Sequence, residues 1–270
     1  MLRERIITAI LLIGGFLAAL FWLPAPAWAI FVLVPLAVGA WEWAKLSHFS
    51  APLKYGFVLL NLATAGVVHQ FDWMSSAYLA SAVLWLTLVP MTLAFGWQLK
   101  SIAIRVLLGM VVLVPLWAAL VDLRTHGAML VLLLMGVVWI ADSAAYFTGR
   151  KFGKHKLAPT ISPGKTWEGA FGALIAVLVY LLIVLLVMHS ATFDAQAWLL
   201  PVLLLGGLML YLSIIGDLFE SWIKRIAGAK DSGNVLPGHG GVLDRIDALT
   251  STLPIAALVL LHGDMLRAWL

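Results

Sequence analysis

Long apolar runs separated by short polar stretches organise this chain from end to end. The runs fall at residues 6–23, 26–44, 55–70, 76–97, 103–121, 127–148, 167–188, 196–220 and 246–263. A helix needs about 20 residues to cross about 30 Å of hydrocarbon, and the runs cluster around that length. A closed β-barrel also satisfies its backbone in lipid, but its strands alternate apolar and polar positions, whereas these runs are continuous. The pattern predicts an all-α, polytopic membrane bundle of about nine transmembrane helices in a single membrane domain.

Composition supports the pattern. The chain is 63% hydrophobic and 11% charged, against about 45–50% and about 25% in an ordinary globular domain. A soluble protein this apolar could not cover its surface with polar groups. There is no cysteine, which excludes disulfides, thiolate metal sites and cysteine nucleophiles.

The first run imitates a signal peptide, with Arg3 and Arg5 before it and a small-x-small Ala27-Trp28-Ala29 after it. Its length favours retention as a first span, and Met1 is expected to stay.

Charge then gives the bundle a direction. With nine spans and the N-terminus inside, all of the 17 Lys and Arg except Arg124 and Arg267 fall on the inner side, as the positive-inside rule demands. Asp72, Asp122, Asp194 and Asp264 fall outside. The remaining nine of the 13 acids, Glu42 among them, lie at or near the inner face. Ionised groups at helix ends are costly unless paired or metal-bound, so function is expected on the inner face. Residues 1–125 form the N-terminal helices. Residues 126–270 form the catalytic helices, with cytoplasmic loops at 149–166 and 221–245.

The densest polar stretch runs from Gly216 to Asp247. Asp217, Ser221 and Lys224 recur at i, i+4 and i+7, and a continuing helix would put them on one face. Asp244 and Asp247 share a face at the start of the last helix. Between them Pro237-Gly238-His239-Gly240-Gly241 predicts a tight, irregular turn. Three carboxylates on adjacent helix ends, Asp217, Asp244 and Asp247, can hold a hard cation such as Mg²⁺. Lys224, Arg225, Lys230 and Arg245 supply charge for phosphate oxygens, and the glycine turn adds backbone donors. Together they predict a site for a polyphosphate and a metal.

A second constellation runs from Asp142 to Glu168. It contains Arg150, Lys151, Lys154 and Lys156, then Ser162-Pro163-Gly164-Lys165-Thr166-Trp167-Glu168-Gly169. The basic run doubles as an orientation signal and a contact for anionic headgroups. Gly164-Lys165-Thr166 is not a P-loop, because Pro159 stands where glycine is needed and no buried strand is expected before it.

These residues resemble the phosphatidate cytidylyltransferases (CDP-diacylglycerol synthases), whose signature reads S-x-x-K-R-x4-K-D, then a short stretch, then H-G-G-x-x-D-R-x-D. Ser221, Lys224, Arg225, Lys230, Asp231, His239, Gly240, Gly241, Asp244, Arg245 and Asp247 fill it without a gap. The SPGKTWEG stretch is similar to the family's second common motif. The resemblance implies transfer of a cytidylyl group from CTP to phosphatidate at the cytoplasmic face of a bacterial inner (plasma) membrane. It also implies Mg²⁺ dependence, with room for a second cation, and a homodimer among membrane lipids; no nucleic-acid partner is expected. Lys224, Arg225, Lys230, Asp231, His239 and Arg245 are the candidate catalytic residues. Ser221, Lys165, Glu168, Gly240, Gly241 and Asp142 are candidates for substrate contact, and Asp217, Asp244 and Asp247 for metal. A CTP-dependent enzyme acting on another lipid phosphate or a polyprenyl lipid is the nearest alternative. A transporter is disfavoured, because the polar residues gather at one face rather than at the midplane.

Overall fold

A computed structural model describes residues 2–97, 99–188, 195–236 and 238–262. Each of the nine expected runs is a helix or a broken helix, although the last expected run ends at 263, one residue outside the described residues. Helix α1 covers Leu2–Trp22. α2 (Ala25–Phe31) and α3 (Leu33–Leu46) share one span, and α4 covers Ala51–Gln70. α5 (Met74–Val83), a π-helical turn (Leu84–Leu88) and α6 (Val89–Phe95) share another. Pro90 explains that turn, since its ring displaces the carbonyl four residues earlier and the helix widens by one residue to accept it. α7 (Ile102–Thr125), α8 (Ala128–Phe152), α9 (Trp167–Met188), α10 (Ala195–Ile226) and α11 (Leu243–His262) complete the bundle.

Among the described residues, seven helices are long and apolar enough to cross a membrane by length and composition. The first and last expected spans are helical but are not among the seven. The described apolar part of α1 is the shorter Ile7–Trp22. α11 opens on Asp244, Arg245 and Asp247, then buries Thr250, Ser251 and Thr252 inside the bundle. It is a central helix rather than a lipid-facing one.

Buried aromatics pin the N-terminal helices to the centre. Trp28 Nε1 donates to Leu120 O at 2.9 Å, Trp117 Nε1 to Ala29 O at 3.1 Å and Trp43 Nε1 to Arg105 O at 3.0 Å. These bonds satisfy indole N–H groups that burial would otherwise orphan. The expected outer-side Asp122 accepts a hydrogen bond from Tyr78 at 3.0 Å.

The segment expected as loop 149–166 is more ordered than the sequence suggested. α8 runs on to Phe152, and β1 (Lys156–Ala158) pairs antiparallel with β2 (Ser162–Thr166), Lys156 opposite Thr166. The Gly164-Lys165-Thr166 triplet therefore lies in a hairpin strand. One glycine sets the geometry of the site. A methyl on Gly216 would stand 2.5 Å from Ser251 Oγ and 3.0 Å from Asp247 O. Its absence lets α10 and α11 close together beside Asp217 and Asp247.

Candidate active site

α10 continues as helix to Ile226, so Asp217, Ser221 and Lys224 lie on one helix, as the spacing predicts. Glu220 joins them, three residues after Asp217 and four before Lys224. Around these side chains the structure assembles a line of five carboxylates bridged by two lysines. Asp142 and Asp247 each lie within electrostatic reach of Asp217 and of Lys165. Asp247 also neighbours Glu220, and Glu220 neighbours Asp244. Lys165 Nζ meets Asp217 Oδ2 at 2.5 Å. Lys224 Nζ meets Glu220 Oε2 at 2.5 Å and Asp244 Oδ1 at 2.6 Å.

The two ends of this line differ. Asp142, Lys165 and Asp217 line a cavity of about 590 Å³ between α8, α9, α10 and the hairpin. Its walls include Ala145, Ala173, Leu210 and Ile214, with exposed Arg150 and Lys156 also on its lining. The lining thus combines apolar side chains with three cations and two carboxylates. At the other end Asp244 is enclosed. Its Oδ2 accepts from Ser232 N, Ser232 Oγ and Gly241 N, each at 2.9 Å, while Oδ1 takes Lys224. Burial raises the Asp244 carboxyl, yet hydrogen bonding with the Glu220 carboxyl, Lys224 and the Gly241 and Ser232 N–H groups holds it well below the ordinary carboxylate range.

The glycine turn is as tight as its sequence predicts, although Pro237 lies outside the described residues. Leu236 N donates to Gly240 O at 3.0 Å, and Gly238 and Gly240 have φ of 73° and 81°, a region that costs other residues strain. Arg245 closes the turn, donating from Nε and Nη2 to His239 O at 3.1 and 2.7 Å. Arg225 Nε donates to Ile161 O at 3.4 Å, tying α10 to the hairpin. Arg225 and exposed Lys230 line a second cavity of about 330 Å³. Asp231 is exposed on the same loop.

Glu168 takes a place of its own. It sits in the first turn of α9, where its oxygens lie 2.7 Å from His155 Nδ1 and accept from His155 N at 3.3 Å. It closes the base of the hairpin and does not line the cavity.

Among the described residues no group of three or more His, Cys, Asp or Glu is drawn together as a metal shell. The expectation that Asp244 joins Asp217 and Asp247 around one cation meets oxygens already taken by four donors. Asp217 and Asp247 instead share their surroundings with Asp142 and Lys165. The donor chemistry there suits a hard divalent ion, because three carboxylates face one ammonium. Glu220 Oε1, beside them, is buried without a hydrogen-bond partner, an orphan that a cation or a proton would satisfy.

Sequence reasoning placed Glu220 and Glu42 on the inner face but gave neither a role, and it overlooked Ser232. Glu220 was legible as the i−4 partner of Lys224. Glu42 is a charge between two tryptophans inside an apolar run, itself a signal. Ser232 carried no signal that separates it from a turn residue.

Comparison with known proteins points one way. The profile of the Cytidylyltransferase family matches residues 3–262. A phosphatidate cytidylyltransferase from Pseudomonas aeruginosa is 42% identical, covering 96% of this chain and 97% of its own length. Proteins of the same description from Haemophilus influenzae and Brucella suis are 37% and 35% identical, covering 94% and 97% of this chain and 96% and 93% of their own lengths.

Proposed function

The chain belongs to the cytidylyltransferase family, and from that premise we propose that it transfers a cytidylyl group from CTP to phosphatidate. The products are CDP-diacylglycerol and pyrophosphate, and the setting is phospholipid biosynthesis. The observation that carries this reading is the line of carboxylates and lysines opening onto a cavity lined by both apolar and cationic side chains. An amphiphilic phosphate fits such a cavity.

In the reaction a phosphate oxygen of phosphatidate bonds to the α-phosphorus of CTP, and the bond from that phosphorus to the β-phosphate bridge breaks. A phosphomonoester with a second pKa of about 6 is largely dianionic at neutral pH and needs little base help. The difficulty is bringing two highly negative groups together in line. Lys165, Arg150 and Lys156 supply positive charge around the larger cavity, and Arg225 and Lys230 do so at the smaller one. Lys224 and Arg245 hold the 227–242 loop through Asp244 and the His239 carbonyl.

Mg²⁺ is the proposed cofactor, held by Asp217 and Asp247 with Asp142 close by and with Glu220 available to a second cation. When bound, the ion would neutralise triphosphate charge and ease the departure of pyrophosphate. The proposed setting is a bacterial inner membrane with the N-terminus and the site on the cytoplasmic side, a reading supported by the distribution of Lys and Arg. A homodimer is proposed on family resemblance, and chemical cross-linking in native membranes tests it.

The decisive assay supplies purified protein with labelled CTP and either phosphatidate or a polyprenyl phosphate. Labelled lipid and equimolar pyrophosphate are expected with phosphatidate alone. Labelling of the polyprenyl phosphate alone would overturn the assignment.

A further inference from the structure

Glu42 is fully buried in α3, about 190 to 200 residues away in sequence from everything its carboxylate touches. Oε2 accepts from Leu243 N at 2.8 Å and Ser232 Oγ at 3.2 Å, and Oε1 accepts from Val242 N at 3.1 Å. Val242 and Leu243 stand at the start of α11, where N–H groups lack helical partners and the helix dipole favours a negative group. Ser232 connects this carboxylate to the other one, since its Oγ also lies 2.9 Å from Asp244 Oδ2 and its single proton is shared between the two. The chain is shaped to admit Glu42. The three atoms nearest a methyl on Gly233 would all belong to Glu42, and one on Gly241 would strike Ser232 Oγ first and stand 2.6 Å from Glu42 Oε1.

We propose that Glu42 is a positioning residue for nucleotide binding, because the loop it holds carries Lys230 into the smaller cavity, whose lining of Arg225, Gly228, Ala229 and Lys230 is cationic and has no large apolar side chain for lipid tails. Reaching from the N-terminal helices, it clamps the turn that carries Lys230, Asp231 and His239 and fixes where Asp244 meets Lys224. This inference rests on the functional reading above. The grip also makes the N-terminal helices part of the active site rather than a support for it.

The test compares Glu42→Ala, Glu42→Gln, Gly233→Ala and the Glu42→Ala/Gly233→Ala double variant, with both substrates varied and thermal unfolding followed in the same detergent. Losing a charged acceptor at a helix N-terminus is expected to raise KM for CTP about 10-fold in Glu42→Ala. KM for phosphatidate should stay near wild type, while the unfolding midpoint should fall, because two helix N–H groups and the Ser232 hydroxyl lose a buried acceptor. Glu42→Gln, which keeps one acceptor oxygen, should fall between. Gly233→Ala should impair CTP use alone, yet the double variant should be no worse than Glu42→Ala, because the carboxylate that the methyl strikes is gone. Wild-type CTP kinetics in Glu42→Ala, equal loss for both substrates, or additive loss in the double variant overturns the proposal. Equilibrium dialysis of CTP tests Glu42 without any acceptor lipid, so wild-type turnover with phosphatidate reports separately on the functional reading.

Discussion

Lys165 and Lys224 each face a carboxylate of α10 at 2.5 Å, but the two pairs stand in different surroundings. Lys165 arrives on a two-stranded hairpin, and its side chain and that of Asp217 keep 25% and 23% of their exposure on the wall of an open cavity. Lys224 lies between Glu220 and Asp244, which keep only 7% and 9%, with backbone donors completing the Asp244 shell. A pair that shares its space with a cavity can exchange its partner for a substrate phosphate or a cation. A pair enclosed by its own loop cannot do so without opening that loop. The first arrangement suits chemistry and the second suits architecture, whereas the sequence reading assigned Lys224 to phosphate and Lys165 to substrate contact.

Substitutions that separate stability from turnover sharpen or break this contrast. The largest effect is expected from Lys224→Met, which leaves buried carboxylates unpaired and should cost about 3–5 kcal/mol of stability, read as a lowered midpoint in detergent. Asp217→Asn should lower kcat about 10²–10³-fold while the fold survives, the range seen when one preorganised electrostatic contact is removed. It should also weaken Mn²⁺ binding measured by electron paramagnetic resonance, a readout independent of turnover. Lys165→Met should cost about 10–100-fold in kcat/KM with the midpoint nearly unchanged, because a partly exposed pair contributes little to stability. If Lys165→Met unfolds the protein as readily as Lys224→Met, the contrast between the pairs fails. The smallest effect is expected at the hairpin base, where His155→Ala removes a largely exposed partner of Glu168 and should change stability by no more than about 1 kcal/mol.

The bundle was legible because its signal is local. Every apolar run carries its own length and composition, and each of the nine runs became a helix or a broken helix. The π-helical turn before Pro90 was not foreseen, and 76–97 was read as one regular helix. The hairpin was not legible. β1 is only three residues long, and β2 carries Pro163 and Gly164, which depress strand propensity. The site residues were found by type and spacing, but their pairings were not. Lys165 reaches Asp217 across 52 residues and Lys224 reaches Asp244 across 20. The sequence reading grouped Lys224 and Arg225 by charge, whereas on a helix adjacent residues point apart. Glu42 shows the limit most plainly, since its partners lie at the other end of the chain and only packing brings them together.

The 32 residues of α10 set a last consequence. At 1.5 Å per residue the helix is about 48 Å long, well beyond the roughly 30 Å of hydrocarbon it crosses. Tilt can absorb some of that surplus, but the polar run from Asp217 to Arg225 favours spending it outside the oil. On that reading the helix would act as a mast, raising Asp217, Glu220 and Lys224 toward the level of lipid phosphates. In the proposed reaction a lipid substrate would then react with its tails still immersed, while the water-soluble nucleotide meets it at the shoreline.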